Sequence, residues 1–163
     1  MKIGICWSHW TGKSTLFNLI DYPNKINETA RDTIEILGNP QSMDNDELYA
    51  FQKIVLIKQI IKEKEYEKFI SDRTVYDILA YSRKLHNYHS LYDKIKNHQW
   101  YDIVFYIPIE FPMEQDWVRF ENPKYQKVVD KRVKKLMKDN NIKYITITWT
   151  AEERAGQIQQ HLS

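Results

Sequence analysis

Gly12-Lys13-Ser14-Thr15 lies just behind a short apolar run, Lys2-Ile3-Gly4-Ile5-Cys6, and just ahead of Thr15-Leu16-Phe17-Asn18-Leu19-Ile20, which reads as the start of a helix. Buried strand, loop, helix is the setting in which a chain cradles phosphate, because loop amides and the start of a helix converge on the anion. Each residue type there has a separate task. The amides of Thr11, Gly12, Lys13, Ser14 and Thr15 face the phosphate oxygens, and Lys13 brings a point charge to the β- and γ-phosphates. The Ser14 hydroxyl suits Mg2+, and Gly12 lets the backbone approach the nucleotide. The chemistry implied is phosphoryl transfer from Mg-bound ATP. The signature G-x-x-x-x-G-K-[ST] reads here Trp7-Ser8-His9-Trp10-Thr11-Gly12-Lys13-Ser14, so an indole occupies the first glycine position, where a tight turn leaves the strand. Trp7 and Trp10 therefore weigh against retained nucleotide binding.

Other residues suit the same chemistry. Asp72 follows a second short apolar run, Phe69-Ile70-Ser71, and a carboxylate there orients Mg2+ or accepts the proton of an acceptor hydroxyl. Its neighbour Arg73 suits a phosphate or substrate oxygen. The plainer reading is a helix-capping Asp beside a solvated Arg. Glu28 and Arg31 are one helical turn apart, so both reach one ligand or simply pair at the surface. Arg119, in the polar stretch 110–123, is placed to close over a transferring phosphate. Arg132 reads as one more cation on a Lys-rich helix face. His86 and His89 share a helix face, but no carboxylate or Cys cluster joins them, and they are not read as a metal site.

These residues must be positioned by an alternation of strands and helices. Residues 2–6, 69–71, 102–107 and 144–148 read as strands. Residues 21–24 read as a turn. A helix over 28–37 follows, capped by Asn27 and stopped by Gly38-Asn39-Pro40. Asp44, with Glu47 three residues on, forms a capping box for the next helix. Further helices are expected over 75–86, more weakly over 90–98, and over the apolar period Tyr125, Val128, Val129, Val133, Leu136 and Met137; Thr150 caps a last one. Such alternation predicts an α/β fold with a parallel sheet covered on both faces.

The bulk composition agrees. A chain of 163 residues fits one domain, residues 1–163, and its net charge of +2 makes no general case for nucleic acid or membrane. Cys6 is the only cysteine, and no segment reaches the length of a membrane helix, so a soluble cytoplasmic protein is expected. Glycine is scarce: there are 4, where average usage would give about eleven, and there are 5 tryptophans.

Together Gly12-Lys13-Ser14-Thr15, Glu28-Thr29-Ala30-Arg31, Asp72-Arg73-Thr74-Val75-Tyr76-Asp77, Tyr106-Ile107-Pro108 and Asp116-Trp117-Val118-Arg119 resemble the small P-loop kinases. These include the ribosylnicotinamide kinase domain of bacterial NAD regulators and related bacteriophage ATPase/kinase proteins, and more distantly deoxynucleoside and thymidylate kinases. The resemblance spans nearly the whole chain. It implies a three-layer P-loop NTPase fold with a five-stranded parallel sheet. It also implies an acceptor site facing Glu28 and Arg31, Asp72 near Mg2+ and the acceptor hydroxyl, and a lid at 110–123 that carries Arg119. The chain departs from the family at Trp7, Trp10 and Trp117, where glycine is usual, and near Trp149, where glycine or a small residue is common. Ile78 also stands where a polar residue is common. Repeated exchange of glycine for tryptophan reads as an altered, engineered variant of a natural kinase.

The expected function is ATP- and Mg2+-dependent phosphorylation of a nucleoside- or nucleotide-like small molecule by a monomer or homodimer. Lys13, Asp72 and Arg119 are the catalytic candidates; Glu28, Arg31 and Arg73 are the substrate ones; Ser14 and Asp72 are the metal ones. The Lys-rich face of 124–138 motivates an alternative, a kinase acting on nucleic acid, and Trp7 and Trp10 motivate another, a nucleotide-binding protein without catalysis.

Overall fold

The computed structural model describes residues 1–7, 13–96, 100–109 and 123–162. Five strands, β1 (Lys2–Trp7), β2 (Lys25–Ile26), β3 (Phe69–Ser71), β4 (Ile103–Ile107) and β5 (Tyr144–Thr146), form one sheet in the order β2-β3-β1-β4-β5. Every pairing is parallel, with Gly4 opposite Ser71 on one side of β1 and opposite Val104 on the other. Among the described residues seven α-helices accompany the sheet: α1 (Lys13–Leu19), α2 (Thr29–Leu37), α3 (Asn45–Lys64), α4 (Val75–Ser82), α5 (Tyr88–Tyr92), α6 (Pro123–Asp139) and α7 (Ala151–Leu162).

The period-2 alternation of the strands sorts two cores. Ile3, Ile5, Ile70, Phe105 and Ile107 meet Leu16 and Phe17 of α1, Ile20 just after it and Ile158 of α7. On the opposite face Cys6, Phe69, Val104 and Tyr106 meet α3, α4 and α6 through Phe51, Val55, Leu79, Val129 and Val133. Strands buried on both faces read as unbroken apolar runs, which is why β1 and β4 stand out in the sequence. Gly4 faces the second core, where a Cβ would lie 2.6 Å from Thr74 Cγ2 and 3.1 Å from the Tyr101 ring, so a side chain there would collide with the start of α4.

Several local signals act as expected. Asp44 accepts from the amides of Asp46 and Glu47 while Glu47 accepts from the Asp44 amide, closing the capping box of α3. Thr150 and Glu153 make the same reciprocal pair at the start of α7. Gly38 ends α2 at φ 89°, with its N–H on the Ile34 carbonyl. Five readings change. β2 lies where only a turn was expected, because two residues carry no periodicity and it exists only by pairing with β3. The residue that caps α2 is Glu28, not Asn27, and its side chain does not bond the helix amides. α4 stops at Ser82 rather than reaching His86, and α5 ends at Tyr92. β5 ends at Thr146, two residues short of the strand read over 144–148.

A buried polar network lies between α3 and the sheet. Gln59 and Glu63 of α3 are 0 % and 2 % exposed. Gln59 Nε2 donates to Glu63 Oε1 and to Ser71 Oγ, each at 2.7 Å. Tyr101 donates its hydroxyl to the same Glu63 oxygen at 2.7 Å and accepts from the Val75 amide at 2.9 Å. Burial pushes the Glu63 carboxyl up to about 7, against the opposing hydrogen bonds from Gln59 and Tyr101. The backbone also holds a strained point. Trp149, in the turn after β5, sits at φ 81° with 68 % of its surface exposed. Bulky L-residues avoid that region because Cβ crowds the backbone.

Two outcomes follow from these features. The unfolded Glu63 ionises near 4.5 and the folded one near 7, so its stabilising contribution is full below the lower value and is lost as pH rises through the upper one. Denaturant titrations at pH 5 and pH 8 should show Glu63→Gln losing less stability over that interval than the parent, by roughly 2 kcal/mol or somewhat more; equal losses would contradict the burial argument. Trp149→Gly should raise the thermal midpoint, with a gain of about 1 kcal/mol from relieved backbone strain; a lower midpoint would show that the indole supports the fold.

Candidate functional site

In a parallel sheet the loops at the carboxyl ends of the strands share one edge, and here they carry the candidate residues. β1 runs into the phosphate-binding signature and α1 begins at Lys13, so Lys13 and Ser14 are its first two residues and Thr15, its third, is exposed. Thr11, Gly12, Trp10, Trp117, Arg119 and the lid positions 110–122 lie outside the described residues. Next to β1, β3 ends at Ser71 and delivers Asp72 and Arg73, both buried. Beyond it, β2 ends at Ile26 and delivers Glu28.

The structure brings three of the sequence candidates into one charged group. Glu28 Oε1 accepts from Arg73 Nε and lies 3.0 Å from its terminal nitrogen as well. Glu28 Oε2 lies 3.3 Å from Arg31 Nε. The inner pair is enclosed, with side chains 7 % and 14 % exposed, whereas Arg31 is 53 % exposed. Arg73 also stacks under Tyr81, its guanidinium carbon 5.6 Å from the ring centroid. Burial alone would lower the pKa of Arg73, but Glu28, Tyr81, Asp77 and Asp72 outweigh it and hold the guanidinium charged. The plain reading of Arg73 as a solvated cation therefore does not hold: it is 5 % exposed and sits at φ 147°, a backbone conformation that surrounding contacts must enforce. Nor does Asp72 cap the following helix. Thr74 does, exchanging hydrogen bonds with Asp77. Asp77 in turn accepts from the Cys6 thiol at 3.5 Å, and burial with the nearby Asp77 pushes that thiol up, out of the range of a reactive thiolate.

The charged group forms one wall of a cavity of about 540 Å3 between α2, α3 and α4. Glu28, Arg73 and Asp77 supply the charge; Ala30, Ile34, Met43, Leu48, Phe51, Val55 and Ile78 supply an apolar interior; Gln52, Tyr81 and Tyr125 add hydrogen-bonding edges. An apolar cleft with a few convergent polar groups is the usual form of a small-molecule site. Asp72 is not among its lining residues. Sequence reasoning missed Gln52, Tyr81 and Tyr125. Tyr125 reads in the sequence as one position of an apolar helical period, and Gln52 and Tyr81 carry no local signal; the three share a wall only once α3, α4 and α6 pack together. Elsewhere, Arg132 donates to the Ala80 carbonyl at 3.3 Å, and on the Lys-rich face Lys134 and Lys135 pair with Asp130 and Asp139 at 3.0 Å each. His86 lies 3.5 Å from Asp46. No described helix is long and apolar enough to cross a membrane.

Comparison with known proteins places this geometry. No curated protein sequence matches the chain significantly. Among solved structures, deoxyadenosine kinase from M. mycoides with the products dCMP and dCDP bound is 17 % identical, with a TM-score of 0.69 over 99 % of this chain and 98 % of that one. Thymidylate kinase from Candida albicans is 13 % identical, with a TM-score of 0.71 over 98 % and 89 %. NadR in complex with NAD and AMP-PNP is 14 % identical, with a TM-score of 0.71 over 98 % of this chain but 48 % of that one, so the chain spans about half its length. At these identities the likeness is one of fold, the α/β P-loop NTPase fold with a kinase-like arrangement of strands and helices. The family model described as AAA domain matches residues 8–154, and by that match, with the parallel sheet and the loop signature beneath it, this chain belongs to the AAA domain family.

Proposed function

We propose that this chain is an ATP- and Mg2+-dependent phosphotransferase whose acceptor is a nucleoside- or nucleotide-like small molecule held in the cavity between α2, α3 and α4. The observation that carries the reading is the enclosed Glu28–Arg73 pair on the cavity wall, on the sheet edge where β1 enters the phosphate-binding signature. The neighbours of the same fold include kinases of nucleosides and nucleotides, which supports this class of acceptor.

In this reading the amides of Thr11 to Thr15 and the Lys13 ammonium hold the triphosphate, and Arg119 closes over the transferring phosphate. Ser14 and Asp72 suit Mg2+: a hydroxyl at the head of α1 and a buried carboxylate at the end of the adjoining strand are hard oxygen donors of the required kind. When bound, the ion neutralises charge on the phosphates. Arg73 and Arg31 steady Glu28, and the acceptor hydroxyl lies against that carboxylate. Glu28 lines the cavity and Asp72 does not, so Glu28 is the better placed of the two to receive the hydroxyl proton, with Asp72 serving the metal. The cavity suits one small molecule rather than a strand end, and the Lys-rich face of α6 is partly neutralised by its own Asp130 and Asp139. A single domain with one chain per site accounts for these parts.

The same reading takes in the tryptophans. Trp100 behaves as a tryptophan should, 5 % exposed with its indole N–H donating to the Ile95 carbonyl at 3.2 Å. Trp149 does not, since its φ of 81° is glycine territory. Trp7 occupies the first glycine position of the loop signature, and by the resemblance to small P-loop kinases Trp10 and Trp117 stand where glycine is usual. We propose that the natural chain carries glycine at 7, 10, 117 and 149. A single codon accounts for all four: UGA differs from a glycine codon by one base, and genetic codes assign it to stop, tryptophan or glycine.

Mg-ATP titration and a panel of nucleosides and nucleotides, applied to the chain with glycine restored at these four positions, test the function. Phosphoryl transfer to a panel member is expected, with Asp72→Asn and Glu28→Gln each lowering kcat about 10²-fold or more. No thermal shift with Mg-ATP and no transfer to any acceptor would sink the kinase reading. Strong salt-dependent binding to oligonucleotides together with strand-end phosphorylation would favour the nucleic-acid alternative. For the tryptophans, the gene should show UGA at 7, 10, 117 and 149 and UGG at 100. UGG at all five, with an intact mass from the source cells matching tryptophan throughout, would rule the glycine reading out.

A further inference from the structure

The structure assigns Gln59 a role in positioning the Glu28–Arg73 pair, and through it the acceptor, an assignment that rests on the cavity being the acceptor site. Gln59 is fully buried and does not line the cavity, so it does not touch an acceptor. Its amide instead reaches the backbone segments on which the pair is mounted. Oε1 accepts from the Thr29 hydroxyl at 3.1 Å, and Thr29 directly follows Glu28. Nε2 donates to Ser71 Oγ at 2.7 Å and lies 3.4 Å from the carbonyl of Arg73 itself. A side-chain amide has two donor hydrogens and a carbonyl with two lone pairs. The two hydrogens go to Ser71 Oγ and Glu63 Oε1, so one residue ties the start of α2 to the end of β3 while the Arg73 carbonyl sits against its nitrogen at longer range.

Two features raise this above ordinary core satisfaction. Arg73 stands at φ 147°, a conformation that persists only where its surroundings over-determine it, and its carbonyl is one of the groups facing Gln59. The 3.0 Å contact between Arg73 and Glu28 joins residues 45 apart in sequence, so its length is set by how β2 and β3 are held at their ends. Gln59 spans those two ends from α3. The remaining Nε2 bond, to Glu63 Oε1 at 2.7 Å, continues through Tyr101 to the Val75 amide at the start of α4, so the third wall of the cavity joins the same network.

Gln59→Met keeps nearly the same volume and removes every one of these bonds. In the glycine-restored chain, acceptor and ATP are varied separately in steady-state assays. The expected result is a tenfold or greater fall in kcat/KM for the acceptor with KM for ATP within about twofold of the parent. Equal effects on both substrates, or none on either, would overturn the assignment. A crystal structure of the variant gives a readout that needs no activity. Arg73 leaving positive φ and parting from Glu28 supports positioning, and an undisturbed pair refutes it even if the parent proves not to be a kinase. Should Gln59→Met not fold, combining it with Ser71→Ala, a residue that does not line the cavity, removes a stranded hydroxyl and restores stability. The acceptor defect must then remain, and its disappearance would show that Gln59 only satisfies buried groups.

Discussion

A charged arginine that is only 5 % exposed is the constraint around which this site is built. Burying an unpaired charge costs far more than a small domain has to spare, so Arg73 can stay charged only among opposing groups. Glu28 meets it at 3.0 Å through two nitrogens, and the Tyr81 ring covers another side. Those partners come from the end of β2 and from α4, elements that nothing in the local sequence brings together. The pair therefore requires the β2-β3-β1 order of the sheet, and the sheet edge is shaped by the need to keep that pair intact.

The same constraint explains why the cavity is apolar elsewhere. With its charge concentrated at Glu28, Arg73 and Asp77, the remaining wall is supplied by α2 and α3 as Ile34, Leu48, Phe51 and Val55. Such a lining offers apolar surface to an organic ligand and oriented polar groups at one end. That division suits transfer to a small acceptor, where positioning and charge neutralisation rather than covalent chemistry set the rate. Gln59, Glu63 and Tyr101 lie just behind this wall and hold its backbone without entering it.

Gly4 and Trp149 show the backbone logic from opposite directions. At Gly4 any Cβ would strike Thr74 and Tyr101, so the absence of a side chain is what lets α4 start against β1 and present Asp77 to Cys6. At Trp149 a large side chain occupies a backbone conformation that disfavours it, yet the indole is mostly exposed and fills no core position. A bulky residue that costs strain and is mostly exposed is out of keeping with the rest of a chain whose local signals agree with its fold.

What the sequence by itself determined was local. The phosphate-binding signature between β1 and α1, the apolar runs of β1, β3 and β4, the Asp44–Glu47 box, the Thr150 cap and the Gly38 stop all depend on neighbours within a few residues, and each could be read directly. Asp72, Arg73, Glu28 and Arg31 could be named as candidates from their types and order, but not joined. What only the tertiary structure decided was everything spanning elements: β2, which exists through its pairing with β3; the burial of Arg73; its pairing with Glu28; and the place of Gln59 behind both. The physical reason is that a charge pair, a two-residue strand and a buried amide have no periodicity of their own. Their meaning comes from partners tens of residues away, which only the folded sheet brings within hydrogen-bonding distance.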